Sequence, residues 1–139
     1  MNLIIRNPKA EYTDDFYHWL IDKIQLYAIA NINNGKLVAL NNYINNIPRF
    51  KSIFKKTFNA REILISFFYN LEIKKYWDRV VIESNINKII PNSNAKIYNV
   101  VKLITYGTVH IKGYPIVTDT FKYFEDRIDD FYELYKRGL

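Results

Sequence analysis

Cysteine is absent from this chain of 139 residues. That excludes a disulfide framework, a thiolate metal site and a cysteine nucleophile. Glycine and proline are scarce, with four of each. The glycines, Gly35, Gly107, Gly113 and Gly138, are scattered, so no glycine-rich loop offers its backbone to a phosphate. Each reads as a turn or a helix end. The two histidines, His18 and His110, lie far apart on unlike elements, and neither has a second ligand at the spacing a metal site needs. No GxSxG turn occurs. No apolar run approaches the roughly 18 residues of a membrane span. Residues 1–8 lack the basic leader and small-residue cleavage site of a secretory signal, so a cytoplasmic chain is the default expectation. These absences exclude most catalytic chemistry. The expectation is a protein that is not an enzyme, takes no cofactor, metal or small-molecule substrate, and does not enter a membrane.

What is present in excess is aromatic. Twelve Tyr, nine Phe and two Trp make 17% of the chain. Hydrophobic residues reach 49% and charged ones 24%, enough for one packed core and too few residues in all for a second. Sixteen Asn accompany the Tyr, Ile and Lys, a bias that suits an AT-rich genome and says nothing about chemistry. In a domain this small several tyrosines must lie near the surface, where an apolar ring with a polar edge suits an interface.

The net charge of +6 is local. From Lys23 to Arg61 there are seven cations and no acid, so the residues outside that window sum to −1. Within it, Pro48 to Phe58 interleaves Arg49, Lys51, Lys55 and Lys56 with Phe50, Ile53, Phe54 and Phe58. As a helix this places the apolar set on one face with cations beside it. Arg49, Lys51, Lys55, Lys56 and Arg61 are therefore the candidate surface for DNA or an acidic partner, the cations gaining by counterion release. The competing reading is the solvated side of an ordinary surface helix. The acidic pairs Asp14–Asp15, Glu125–Asp126 and Asp129–Asp130 read as helix-start or solvated charges, because adjacent residues on a helix point apart.

Periodicity predicts mostly helix. Thr13 caps a helix carrying Phe16, Leu20, Ile24 and Tyr27, which Gly35 should end, and Lys36 to Asn46 predicts a shorter one. Asn59 with Glu62 three residues on predicts another start. Residues 72–90 fit either helix or strand, since Trp77, Val80, Val81 and Ile82 are also good strand formers. Ala95 to Gly107 predicts a helix with Ile97, Val100, Val101 and Ile104 inside. The period then changes to two, which predicts a short extended arm or β-hairpin over residues 108–117. Thr118 and Asp119 should cap a final amphipathic helix over 118–137 carrying Phe121, Phe124, Ile128, Phe131 and Tyr135. The expected fold class is mainly α: a single-domain helical bundle over residues 1–139, with residues 1–10 as an N-terminal arm.

The stretch Tyr106-Gly107-Thr108-Val109-His110-Ile111-Lys112-Gly113-Tyr114-Pro115-Ile116-Val117-Thr118-Asp119-Thr120-Phe121 resembles small virion proteins of AT-rich tailed bacteriophages. Its helix, extended arm and amphipathic terminal helix are similar to head-to-tail connector, adaptor or ring proteins. The resemblance covers about the last third of the chain and carries over no single catalytic or binding residue. It implies a structural subunit of the virion, made in the host cytoplasm, whose partners are other virion proteins and copies of itself. Tyr106, Val109, Ile111, Tyr114 and Ile116 would make subunit contacts, and residues 23–61 would face DNA in a channel. Two other functions fit the composition: a small basic nucleic-acid-binding protein, and an inhibitor of a host protein acting through an aromatic patch.

Overall fold

The computed structural model describes residues 1–32, 34–45, 59–90, 95–109 and 112–139. Leu3 and Ile5 alternate inward while Asn2 and Arg6 face out, so the first residues form a strand, β1 (Asn2–Arg6). Thr13 then caps α1 (Asp14–Asn31): its hydroxyl accepts the Phe16 amide at 3.3 Å, and Asp14 and Asp15 sit at the positive end of the helix dipole. Phe16, Tyr17, Leu20, Ile21, Ile24 and Ala28 form its buried stripe. α2 (Asn34–Asn45) follows. The Asn59 side chain accepts the Glu62 amide at 3.1 Å and starts α3 (Ala60–Tyr69), a buried helix carrying Ile63, Leu64, Phe67 and Phe68.

The ambiguous stretch after α3 is a hairpin. β2 (Leu71–Lys75) and β3 (Arg79–Ser84) run antiparallel and turn through Trp77 and Asp78, with the Tyr76 amide on the Arg79 carbonyl at 2.8 Å. β-Branched Val80, Val81 and Ile82 suit the pleat. β3 is central, in the order β1-β3-β2, with both neighbours antiparallel. Register and alternation put Leu3, Ile5, Leu71, Ile73, Val80 and Ile82 on the face that meets the helices, and Ile4, Glu72, Lys74, Val81 and Glu83 on the other.

The chain closes with α4 (Ile97–Tyr106), α5 (Ile116–Glu125) and α6 (Ile128–Lys136). α1 packs on α3, α5 and α6, and α4 packs on α3, so one core lies between the helices and the inner face of the sheet. The fold is predominantly α with a small antiparallel sheet.

Four expectations change. Residues 1–10 are not a free arm, because pairing with β3 buries Leu3 and Ile5. Gly35 does not end the first helix, which stops at Asn31; the glycine lies inside α2. Of the extended arm or hairpin over 108–117, residues 110 and 111 lie outside the described residues, and no strand is formed among the described ones. Gly107 and Lys112 form one isolated bridge, the Tyr114 amide reaches the Ile104 carbonyl at 2.6 Å, and α5 has begun by Ile116, with Pro115 rather than Thr118 at its cap position. The expected terminal helix over 118–137 is two helices. Arg127, at φ −128° and ψ 24°, breaks it, and the bend stacks Phe131 on Phe124 with ring centroids 4.5 Å apart. Arg127 also lies over the Tyr123 ring at 4.2 Å, so ring contacts hold a break that no Gly or Pro announces.

Close approach to α4 explains Gly113. A β-carbon there would stand 2.4 Å from the Thr105 carbonyl oxygen and 2.8 Å from the Tyr106 carbonyl carbon, both backbone atoms that cannot swing aside. Gly113→Ala is expected to destabilise the fold by about 1–3 kcal/mol, the usual cost of overpacking, measured as a lower urea midpoint with an unchanged slope.

Candidate interaction surface

The surface anticipated from charge is only partly placed. Arg49, Lys51, Lys55 and Lys56 lie outside the described residues. Arg61 is exposed on the first turn of α3 and pairs with Glu62 at 3.2 Å. Of the residues expected to touch neighbouring subunits, Val109 is 96% exposed and Tyr106 59%. Ile111 and His110 are outside the described residues. Tyr114 and Ile116 are interior, 9% and 8% exposed: Ile116 belongs to the buried face of α5, and the Tyr114 hydroxyl donates to the Asn31 carbonyl at the end of α1 at 3.1 Å. Those two side chains serve the protomer and are withdrawn from its surface.

Two of the three acidic pairs gather at one place. Around the α5–α6 turn, Glu125, Asp126, Asp129 and Asp130 line a cleft of about 460 Å³ with Arg6, Lys9 and Tyr12. Acids and bases alternate, and the bonds tie the chain to itself. The Tyr12 hydroxyl donates to Asp129, and Lys9 Nζ stands 3.3 Å from the same carboxylate. These hold Asp129 below the usual carboxylate range, the tyrosine bond first and the lysine second. Desolvation first, then the same bond, pushes the Tyr12 hydroxyl upward. Partial burial raises Glu125 against the opposing pull of the nearby Ile4 backbone. Among the described residues no group of three or more His, Asp or Glu is placed to hold a metal ion, and no helix is long and apolar enough to cross a membrane.

The strongest surface feature went unread in the sequence. Trp77, at the tip of the β2–β3 hairpin, is 97% exposed, beside a half-exposed Tyr76. Three cations surround it, and each is engaged within the chain. Lys74 Nζ lies 2.7 Å from Glu83 and 3.6 Å from Glu72, Lys75 pairs with Asp14, and Arg79 pairs with Asp78 at 2.9 Å while lying over the Tyr76 ring at 4.3 Å. The tip thus presents an apolar ring on a neutralised base, held out by a two-residue turn. A readable signal existed: Tyr76-Trp77-Asp78 directly before the β-branched run Val80-Val81-Ile82 is a turn placed ahead of a strand.

Comparisons with protein-family models, curated proteins and solved structures give no match to this chain.

The Tyr12–Asp129–Lys9 tie makes a pH prediction. Asp129 is depressed in the folded state, so its contribution is present above the ordinary aspartate value, about 3.9, and is lost as pH falls through its lower folded value. The carboxylate is exposed, so the effect is screened and small. Between pH 7 and pH 3 wild type should lose more unfolding free energy than Asp129→Asn, and Tyr12→Phe should behave like Asp129→Asn, as read by urea unfolding at each pH.

Proposed function

We propose that this chain is a non-enzymatic assembly subunit that works through contacts with other protein chains and with copies of itself. The observation that carries this reading is Trp77: a large apolar ring almost wholly in water, at the tip of a hairpin whose cations are already paired. Tryptophan is the side chain most enriched among residues that dominate protein interfaces. A phosphate-binding tip would instead offer cations ready to exchange counterions. Val109, projecting just beyond α4, adds a second exposed apolar contact.

Within that reading, the resemblance of residues 106–121 to small virion proteins gives the specific form: a head-to-tail connector or ring component of a phage particle, located in the virion. Val109 and Tyr106 remain available as contacts of that kind. The nucleic-acid-binding alternative draws on Arg49, Lys51, Lys55 and Lys56, outside the described residues, and on Arg61, which is paired with Glu62.

Quantitative mass spectrometry of purified virions from the source should find the chain in a fixed copy number. Trp77→Ala should fold with wild-type stability, within about 0.5 kcal/mol, because an exposed ring removes no core contact. It should nevertheless be incorporated at least tenfold less, the loss expected of a central interface anchor. Absence from the particles, or a stable monomer that retards duplex DNA at low salt, overturns the reading.

A further inference from the structure

The two edges of the sheet are treated differently. In β1 the amides of Leu3 and Ile5 face β3, as the bond from the Asn7 amide to the Asp78 carbonyl at 2.9 Å fixes the phase, so those of Asn2, Ile4 and Arg6 face outward. α5 packs along β1, with Glu125 lining the same cleft as Ile4 and Arg6. In β2 the bonds at Tyr76–Arg79 and Asn85–Asn70 fix the opposite phase: Glu72 and Lys74 bond to β3, and Leu71, Ile73 and Lys75 turn their amides and carbonyls outward. Among the described residues none of these outward groups has a partner. Beside this edge lies a groove of about 410 Å³, lined by Asp14, His18 and Ile21 of α1 and by Leu71, Ile73 and Lys75.

We infer that the β2 edge pairs with β2 of a second copy of this chain, antiparallel about a twofold axis through Ile73, to make one continuous six-stranded sheet. The proposal rests on the reading that the chain assembles with copies of itself. The sequence of the strand is self-complementary in this register. Ile73 meets Ile73 of the second copy, and Leu71 meets Lys75, in the bonded pairs that the outward groups require. Between them Glu72 stands opposite Lys74 of the second copy, and Lys74 opposite its Glu72, on the face away from the helices. Two attractive charge pairs are thus formed by symmetry from one Glu-x-Lys. Lysines commonly guard open edges, but here Lys74 is drawn onto Glu83 and Lys75 onto Asp14, which leaves the backbone edge uncovered.

Sedimentation velocity on the full chain should show mass rising to that of two copies with concentration. Glu72→Lys sets lysine against lysine twice in the pair, and Lys74→Glu sets glutamate against glutamate; each should weaken dimerisation on the order of tenfold or more. Mixing the two variants should restore it, because the mixed pair places opposite charges at both positions. Circular dichroism checks that each variant is folded. Hydrogen exchange on wild type needs no substitution: the amides of Leu71, Ile73 and Lys75 should gain protection as concentration rises, while the Asn2 and Arg6 amides should not. A dimer that both variants leave intact, a mixture no tighter than its components, or exchange at Ile73 independent of concentration overturns the β2 pairing. Incorporation into virions would stand in any of those cases, so the two proposals fail separately.

Discussion

Everything in this fold is arranged around β3. It is the strand with a partner on each side, and it joins the first residues of the chain to the hairpin that precedes it. Because only one face of the sheet meets the helices, the alternation Val80-Val81-Ile82 must be read in a single phase. A slip of one residue would turn Val80 and Ile82 outward and bring Glu83 into the core. The helices contribute the bulk of the buried surface, but β3 decides which side of β1 and β2 they cover.

A second organising element is aromatic, and it links the two ends of the chain. Phe16 lies against Tyr12, Tyr17, Trp19, Tyr132 and Tyr135, with ring centroids 5.0–6.1 Å apart and mostly tilted or edge-on. The Tyr132 hydroxyl also reaches the Glu11 carbonyl at 3.3 Å. Part of the high aromatic content of the sequence thus packs α6 against the start of α1, while Phe67, Phe68 and Phe121 join α3 to α5. Trp77 stands apart from that cluster, which is what gives its exposure meaning.

The parts of the fold that were legible in sequence are those whose cause is local. Thr13 and Asn59 bond amides three residues away, and the stripe of Ile97, Val100, Val101 and Ile104 needs only the helical period. What was hidden depends on distant partners. β1 is five residues long and is a strand because residues near Glu83 lie beside it, which no window around Leu3 records. The break at Arg127 is held by rings at positions 123, 124 and 131 in a segment that keeps helical periodicity throughout. Tyr114 and Ile116 alternate as a strand would, yet the close approach of Gly113 to α4 turns them inward. The interaction surface was obscured by the same limit: aromatic residues at 16, 76, 77 and 132 look alike in composition, and only the fold separates packing rings from the presented one.

The long separation between β1 and β3 bears on how the protein is made. Translation delivers Leu3 and Ile5 well before β3, and they wait for a partner until residues 79–84 have left the ribosome. The hairpin β2–β3, by contrast, closes within a few residues of its own synthesis. Even then the outer side of β1 is bare until α5 arrives. A nascent chain stalled before that point carries two open strand edges instead of one, so the order of synthesis itself holds back the finished edge chemistry until α5 has been made.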